Sequence, residues 1–266
     1  MVFAKKSLGQ NFLMHRQTAE RIVQASKLPK GALVLEIGPG TGMLTNELLQ
    51  AGMRVIAVEA DYLLIDGLKE RFAAEIGAGK LQIISADIRG YDIQAIPSPY
   101  HVVANIPYYI TGELIRTFLS ARNHPVSLTF LVQKEVAERI VRSKKESLLS
   151  LSVKVYGIPE YCFTVPRGAF VPMPSVDSAV LRIGDISKES FADSDEEIRF
   201  FDVLHAGFAH KRKRLAKNLE DYAERAAVSK AFAEASLGEN ARSEELSLSS
   251  WLSLTRSLKP SARKEG

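Results

Sequence analysis

The 266-residue chain has one cysteine, Cys162, and one tryptophan. A lone cysteine excludes a disulfide framework and a cysteine-based zinc site, and it fits a reducing cytoplasm. The five histidines (His15, His101, His124, His205, His210) show no metal-ligand spacing, so no bound metal is expected. No apolar stretch follows Lys5 and Lys6, so no secretory leader is expected. The longest uncharged run, Ile93 to Gly112, is interrupted by Pro97, Pro99, Asn105 and Pro107 and does not read as a membrane helix. Net charge is also scarce: 35 basic against 31 acidic side chains leave +4.

What is present is an ordinary globular composition, 46% hydrophobic and 25% charged, long enough for a large domain or a large and a small one. The small net charge hides an uneven distribution. Residues 1–30 carry six basic and one acidic side chain, residues 31–110 five and nine, residues 111–185 ten and seven, and the remainder fourteen of each. An acidic centre between basic segments suits a cationic small ligand held beside a polyanion.

From residue 31 to 133, β-rich runs alternate with helical stretches. Ala32–Ile37, Arg54–Glu59, Leu81–Ser85, His101–Asn105 and Leu128–Val132 read as buried strands. Helices are expected near 43–51, 61–76 and 111–120, with Gly52 closing the first and Thr111 capping the third. This alternation implies parallel βαβ units and a doubly wound α/β sheet. Helices around 135–142 and 148–156 follow. Tyr161–Val165 and Ser178–Ile183 then form an antiparallel edge pair. Residues 1–185 read as one domain and 186–266 as a small helical one, with Ser261–Gly266 as a frayed tail.

The first strand runs into Gly38-Pro39-Gly40-Thr41-Gly42, where alternate glycines let the backbone turn sharply and approach a ligand. A dinucleotide fingerprint has a third glycine where this chain has Met43, and Pro39 lacks an N–H for a pyrophosphate. Glu59 ends the second strand, where a carboxylate can take both hydroxyls of a ribose. Asp87 follows the third strand at the same sheet edge. An acidic, phosphate-averse pocket of this kind fits the sulfonium and adenosine of S-adenosylmethionine better than a dinucleotide. The plainer alternative is a tight turn with strand-end acids capping helices.

The fourth strand ends in Asn105-Ile106-Pro107-Tyr108-Tyr109. An exocyclic adenine amine is a poor nucleophile because its lone pair is delocalised into the ring. The Asn105 side-chain oxygen and the Ile106 or Pro107 carbonyl can accept the amine protons and localise that lone pair, while Tyr108 stacks on the base. No strong base is required, because methyl transfer itself makes the amine acidic.

Together, Gln10–Leu13, Glu36–Thr45, Asn105–Thr111, Gln133–Val136 and Phe170–Val180 resemble the ribosomal RNA adenine dimethylases, most closely the bacterial small-subunit type, across residues 7 to 219. The resemblance implies a Rossmann-like class I S-adenosylmethionine-dependent methyltransferase with a small C-terminal helical domain. It implies dimethylation of N6 of two adjacent adenosines in the 3′-terminal hairpin loop of 16S ribosomal RNA, by a cytoplasmic monomer acting on the small subunit. It further implies cofactor contacts from Asn11, Leu13, Gly38, Glu59, Asp87 and Asn105, with Gly40 and Ile88 beside them. Asn105, Pro107, Tyr108 and Phe170 become the catalytic set, with Phe170 closing on the base opposite Tyr108. Composition alone reads Phe170 as core. Leu148-Leu149 replaces the Tyr-Gly that the family commonly carries, which weakens the carry-over of RNA contacts around 143–150 but not the catalytic assignment.

The segment Phe208–Leu219 is basic, and Lys211, Arg212, Lys213, Arg214 and Lys217 are expected to meet RNA phosphates, with Lys5, Lys6 and Arg16 adding to the positive surface. Two rival readings stand beside this one. The first is a resistance-type methylase of large-subunit RNA with the same fold. The second is a non-catalytic ribosome-assembly factor.

Overall fold

The computed structural model describes residues 9–260; Lys5, Lys6 and the tail from Ser261 lie outside them. A two-residue strand β1 (Phe12–Leu13) and helix α1 (Arg16–Ala25) come first. The chain then alternates through β2 (Leu33–Ile37), α2 (Met43–Gln50), β3 (Arg54–Glu59), α3 (Tyr62–Arg71), α4 (Ala73–Gly77), β4 (Leu81–Ser85), β5 (His101–Asn105), α5 (Thr111–Ser120) and β6 (Ser127–Gln133). Next are α6 (Lys134–Val141), α7 (Leu148–Lys154), β7 (Ile158–Val165), β8 (Phe170–Val171) and β9 (Ser178–Gly184). The last four helices are α8 (Ser194–Phe208), α9 (Leu215–Leu219), α10 (Arg225–Glu234) and α11 (Leu248–Ser257).

Seven strands form one sheet in the order β4-β3-β2-β5-β6-β9-β7. The first five are parallel, and β9 and β7 add antiparallel. Every residue of β2 is buried, as a parallel strand covered on both faces requires. From β2 the chain crosses to β3 on one side and later returns to β5 on the other. The carboxyl ends of β2 and β5 therefore flank the crevice where open α/β sheets bind ligands.

Three expectations of local structure are corrected. The helix expected over 61–76 breaks at Phe72, which leaves helical geometry (φ −110°) with its ring buried. Thr111 does not cap α5. It is the first helical residue, its Oγ1 is buried without a hydrogen-bond partner, and a short 3₁₀ turn over Tyr108–Ile110 leads in instead. The helix expected over 148–156 ends at Lys154 and starts on a capping box between Ser147 and Ser150. Gly52 lies just beyond α2 with φ +83°, the left-handed conformation a closing glycine supplies.

The chain divides into two compact units. One holds the described residues up to Glu138 and Gly157–Ser187, and therefore the whole sheet. The other holds Arg139–Tyr156 and the described residues from Lys188. The second unit is centred on Trp251, which is fully buried and stacked on Phe208 with 5.5 Å between ring centroids. A Cβ on Gly207 would collide with the Trp251 ring. Asn218 Nδ2 donates to the Gly207 carbonyl at 2.6 Å and to the His210 carbonyl at 3.2 Å, fixing the start of the loop that leads to α9. Among the described residues, no helix is long and apolar enough to cross a membrane, and no group of three His, Cys, Asp or Glu is placed to hold a metal.

Candidate active site

The turn after β2 is built on glycines in the left-handed region: Gly38, Gly40 and Gly42 have φ of +64°, +58° and +82°. A Cβ on Gly40 would lie 2.9 Å from the Phe12 ring, and one on Gly42 would lie 2.6 Å from the Phe72 ring. Space opposite Gly38 is open, so a ligand can approach the backbone there. The turn is tied to the neighbouring strand by Glu59, which is 4% exposed. Its Oε2 accepts from Gly40 N–H at 3.0 Å and its Oε1 from Asp61 N–H at 2.8 Å. Burial raises the Glu59 pKa, and these N–H groups offset only part of the rise. Each oxygen keeps a further lone pair for a ligand hydroxyl.

The crevice gathers Asn11, Gly38, Gly40, Glu59, Asp87, Ile88, Asn105, Pro107 and Tyr108 on one surface. Asp87 N-caps a 3₁₀ turn, is half-exposed, and is paired with Arg89 at 2.6 Å. That guanidinium holds the Asp87 carboxyl below the usual carboxylate range. Asn105 Nδ2 donates to the main-chain carbonyl of Asn11 at 2.9 Å, which orients the amide and leaves Oδ1 as an acceptor. The Pro107 carbonyl already accepts from Ile110 N–H at 3.2 Å and retains one lone pair. Tyr108 Oη shares a 2.7 Å hydrogen bond with Ser178 Oγ at the start of β9, which fixes the ring. Burial raises the Tyr108 pKa, so the hydroxyl stays neutral.

The side chains of two expected residues are not brought to this surface. Leu13 is 4% exposed and Phe170 is 2% exposed, both within the core cluster. They face one another in the β1–β8 pairing, where Leu13 is opposite Phe170. Phe170 is thus placed as a packing residue that holds β1 against the sheet unit, and the structure does not bring it to the crevice opposite Tyr108. Phe12, next to Leu13, lines the crevice in its place.

Glu36 is a functional candidate that reading the sequence places only as part of a strand. It is 1% exposed, and Oε2 has no hydrogen-bond partner. Burial pushes its carboxyl up to about 8, Thr45 pulls it down, and the Glu59 charge raises it further. The available signal was a carboxylate inside an otherwise apolar strand. Neutral at pH 7, it can sit beneath the glycine turn without a second buried charge next to Glu59.

In the second unit, Lys211, Arg212, Lys213 and Arg214 form an exposed loop between α8 and α9, not a helix face. None of the four makes a side-chain ion pair among the described residues. Lys217, by contrast, is bonded to Glu220 at 2.8 Å. Arg16, expected to add to the positive surface, is paired with Glu20 at 3.0 Å and Glu47 at 3.2 Å.

Residues 1–259 match the family described as ribosomal RNA adenine dimethylase. The chain belongs to that family. A ribosomal RNA small subunit methyltransferase A from Dehalococcoides mccartyi is 42% identical over 81% of this chain and 74% of its own length. Another, from Shouchella clausii, is 35% identical over 98% of this chain and 91% of its own. Two solved structures are similar throughout. The 23S rRNA methyltransferase ErmE has a TM-score of 0.76 at 28% identity, covering 93% of this chain and 99% of that one. A dimethyladenosine transferase from Plasmodium falciparum has 0.79 at 25%, covering 91% and 95%. The chain has the Rossmann-like fold of the class I methyltransferases and is a ribosomal RNA adenine dimethylase.

Proposed function

We propose that the chain dimethylates N6 of two adjacent adenosines in the 3′-terminal hairpin loop of 16S ribosomal RNA, acting as a cytoplasmic monomer on the small ribosomal subunit with S-adenosylmethionine as donor. The observation that carries the reading is the Asn105–Asn11 hydrogen bond at 2.9 Å, which leaves an oriented oxygen acceptor beside Tyr108 on the crevice that Glu59 lines. The residues present fit the donor: an open approach to Gly38, a buried carboxylate with free lone pairs and, among the described residues, no basic side chain but Arg89 on the lining.

When bound, S-adenosylmethionine supplies a methyl group activated on a sulfonium. Glu59 accepts from the ribose hydroxyls and Asp87 from the adenine amine of the cofactor. Asn105 Oδ1 accepts an N–H of the target amine and turns its lone pair away from the ring, a positioning effect. Tyr108 stacks on the target base, worth about 1–3 kcal/mol for such contacts. The amine proton is lost to water after transfer, when the nitrogen is acidic. The basic loop Lys211–Arg214 contributes phosphate contacts that position the RNA without reading its sequence.

Labelled-methyl transfer to purified small and large ribosomal subunits tests the reading. The similarity to ErmE makes the large subunit the specific alternative. Label on the small subunit is expected, and label confined to the large subunit would overturn the target assignment.

A further inference from the structure

Arg89 holds Asp87 more completely than a surface ion pair requires. Its main-chain N–H donates to Oδ1 at 2.9 Å, Nε reaches Oδ1 and Oδ2 at 3.1 Å each, and Nη2 donates to Oδ2 at 2.6 Å. A carboxylate offers about four lone-pair positions, two on each oxygen. Three N–H groups of Arg89, with Nε shared between the two oxygens, therefore engage both oxygens of this solvent-exposed strand-end acid. Both residues line the crevice, and each side chain is 46% exposed.

An amine arriving at Asp87 competes with the guanidinium, which already donates to both carboxylate oxygens. The Glu113 carboxylate also favours the guanidinium charge, and Tyr109 is 61% exposed next to the residue expected to stack on the target base. A guanidinium fork that fits a carboxylate fits a phosphate equally well, with the same two parallel N–H donors.

We infer that Arg89 is a gated RNA-phosphate contact: it occupies the adenine-amine position on Asp87 in the free enzyme and is released to the RNA backbone when the cofactor binds. This rests on the reading of the crevice as the cofactor site. Cofactor and RNA then assist each other through one side chain, and by linkage the enhancement is the same in both directions.

The test is binding of S-adenosylhomocysteine, which cannot be turned over, to the wild type and to Arg89→Gln, with and without unmethylated small ribosomal subunits. Arg89 is exposed, so the variant keeps the fold, and its melting curve checks this. Without subunits, Arg89→Gln is expected to bind S-adenosylhomocysteine roughly two- to fivefold more tightly, as for release from a half-exposed ion pair. The mutual enhancement between S-adenosylhomocysteine and subunits, present in the wild type, is expected to vanish in the variant. Unchanged or weaker affinity in Arg89→Gln, or enhancement that survives the substitution, would overturn the inference while leaving the cofactor site intact. Failure of the wild type to bind S-adenosylhomocysteine at all would overturn the cofactor reading and this inference with it.

Discussion

Asn105 at the end of β5 donates its side-chain amide hydrogen to the main-chain carbonyl of Asn11, 94 positions earlier and 2.9 Å away. The partner is a backbone atom held beside β1, so the orientation of the Asn105 amide depends on the β1–β8 pairing and not on the side chain of Asn11. The short N-terminal strand is in this sense part of the active site.

Asn105→Ala is expected to lower the rate of methyl transfer by on the order of two to three decades, the usual effect of removing one preoriented hydrogen-bonding group. Subunit binding should stay within about twofold, because phosphate contacts elsewhere carry most of that affinity. Single-turnover rates alongside filter binding separate the two effects.

Phe170→Ala is expected to destabilise the fold by about 3–5 kcal/mol, as for a large aromatic removed from a core. Phe170→Leu, which keeps most of the volume, should recover most of the stability and turnover. A Leu variant that is stable yet inactive would return Phe170 to the base-binding set.

Gly42→Ala should also cost stability, about 1–3 kcal/mol, because φ is positive and the new Cβ meets the buried Phe72 ring at 2.6 Å. Gly52→Ala provides the contrast: φ is positive there too, but no atom lies within 4 Å of the added carbon. Denaturant melts of the two variants should rank Gly42→Ala as the more damaging.

Glu36 makes stability depend on pH. Its folded pKa is raised to about 8 from 4.5, so the folded state keeps a proton that the unfolded state has lost between those values. Stability from this group is therefore fully present below about pH 4.5 and declines as pH rises towards 8. Glu36→Gln removes the dependence, and its melting temperature relative to wild type should climb steadily from pH 5 to pH 8. A constant difference across that range would contradict the neutral, buried carboxyl.

Much of this was legible in the sequence because burial leaves a pattern. β3, β4 and β5 have the bounds read from their β-rich runs, but β4, expected to be buried, is an edge strand in which only Leu81 is buried, because no strand covers its outer side. The glycine turn, Glu59 and Asn105 were legible because each ends a strand at the same sheet edge. β1 and β8 were not, because two residues are too few to carry a period. The burial of Phe170 and Leu13 depends on that unseen pairing. The clamp of Arg89 on Asp87 was equally hidden, since an exposed arginine two residues after an aspartate looks like any solvated pair. The attachment of Arg139–Tyr156 to the second unit leaves no mark in local composition.

Neutralising Lys211, Arg212, Lys213 and Arg214 together should flatten the salt dependence of subunit binding, by roughly 0.7–0.9 in logarithmic slope for each RNA phosphate that no longer meets a cation. S-adenosylhomocysteine affinity should not change. Equal slopes for variant and wild type would remove this loop from the RNA interface.

The central claim is tested most directly by mapping, nucleotide by nucleotide, the methyl groups that the enzyme adds to unmethylated small ribosomal subunits. Two adjacent N6-dimethyladenosines in the 3′-terminal hairpin loop of 16S RNA, absent when Asn105→Ala replaces the wild type, is the predicted result. Methylation at a single adenosine, at other positions, or undiminished in the Asn105 variant would contradict the account.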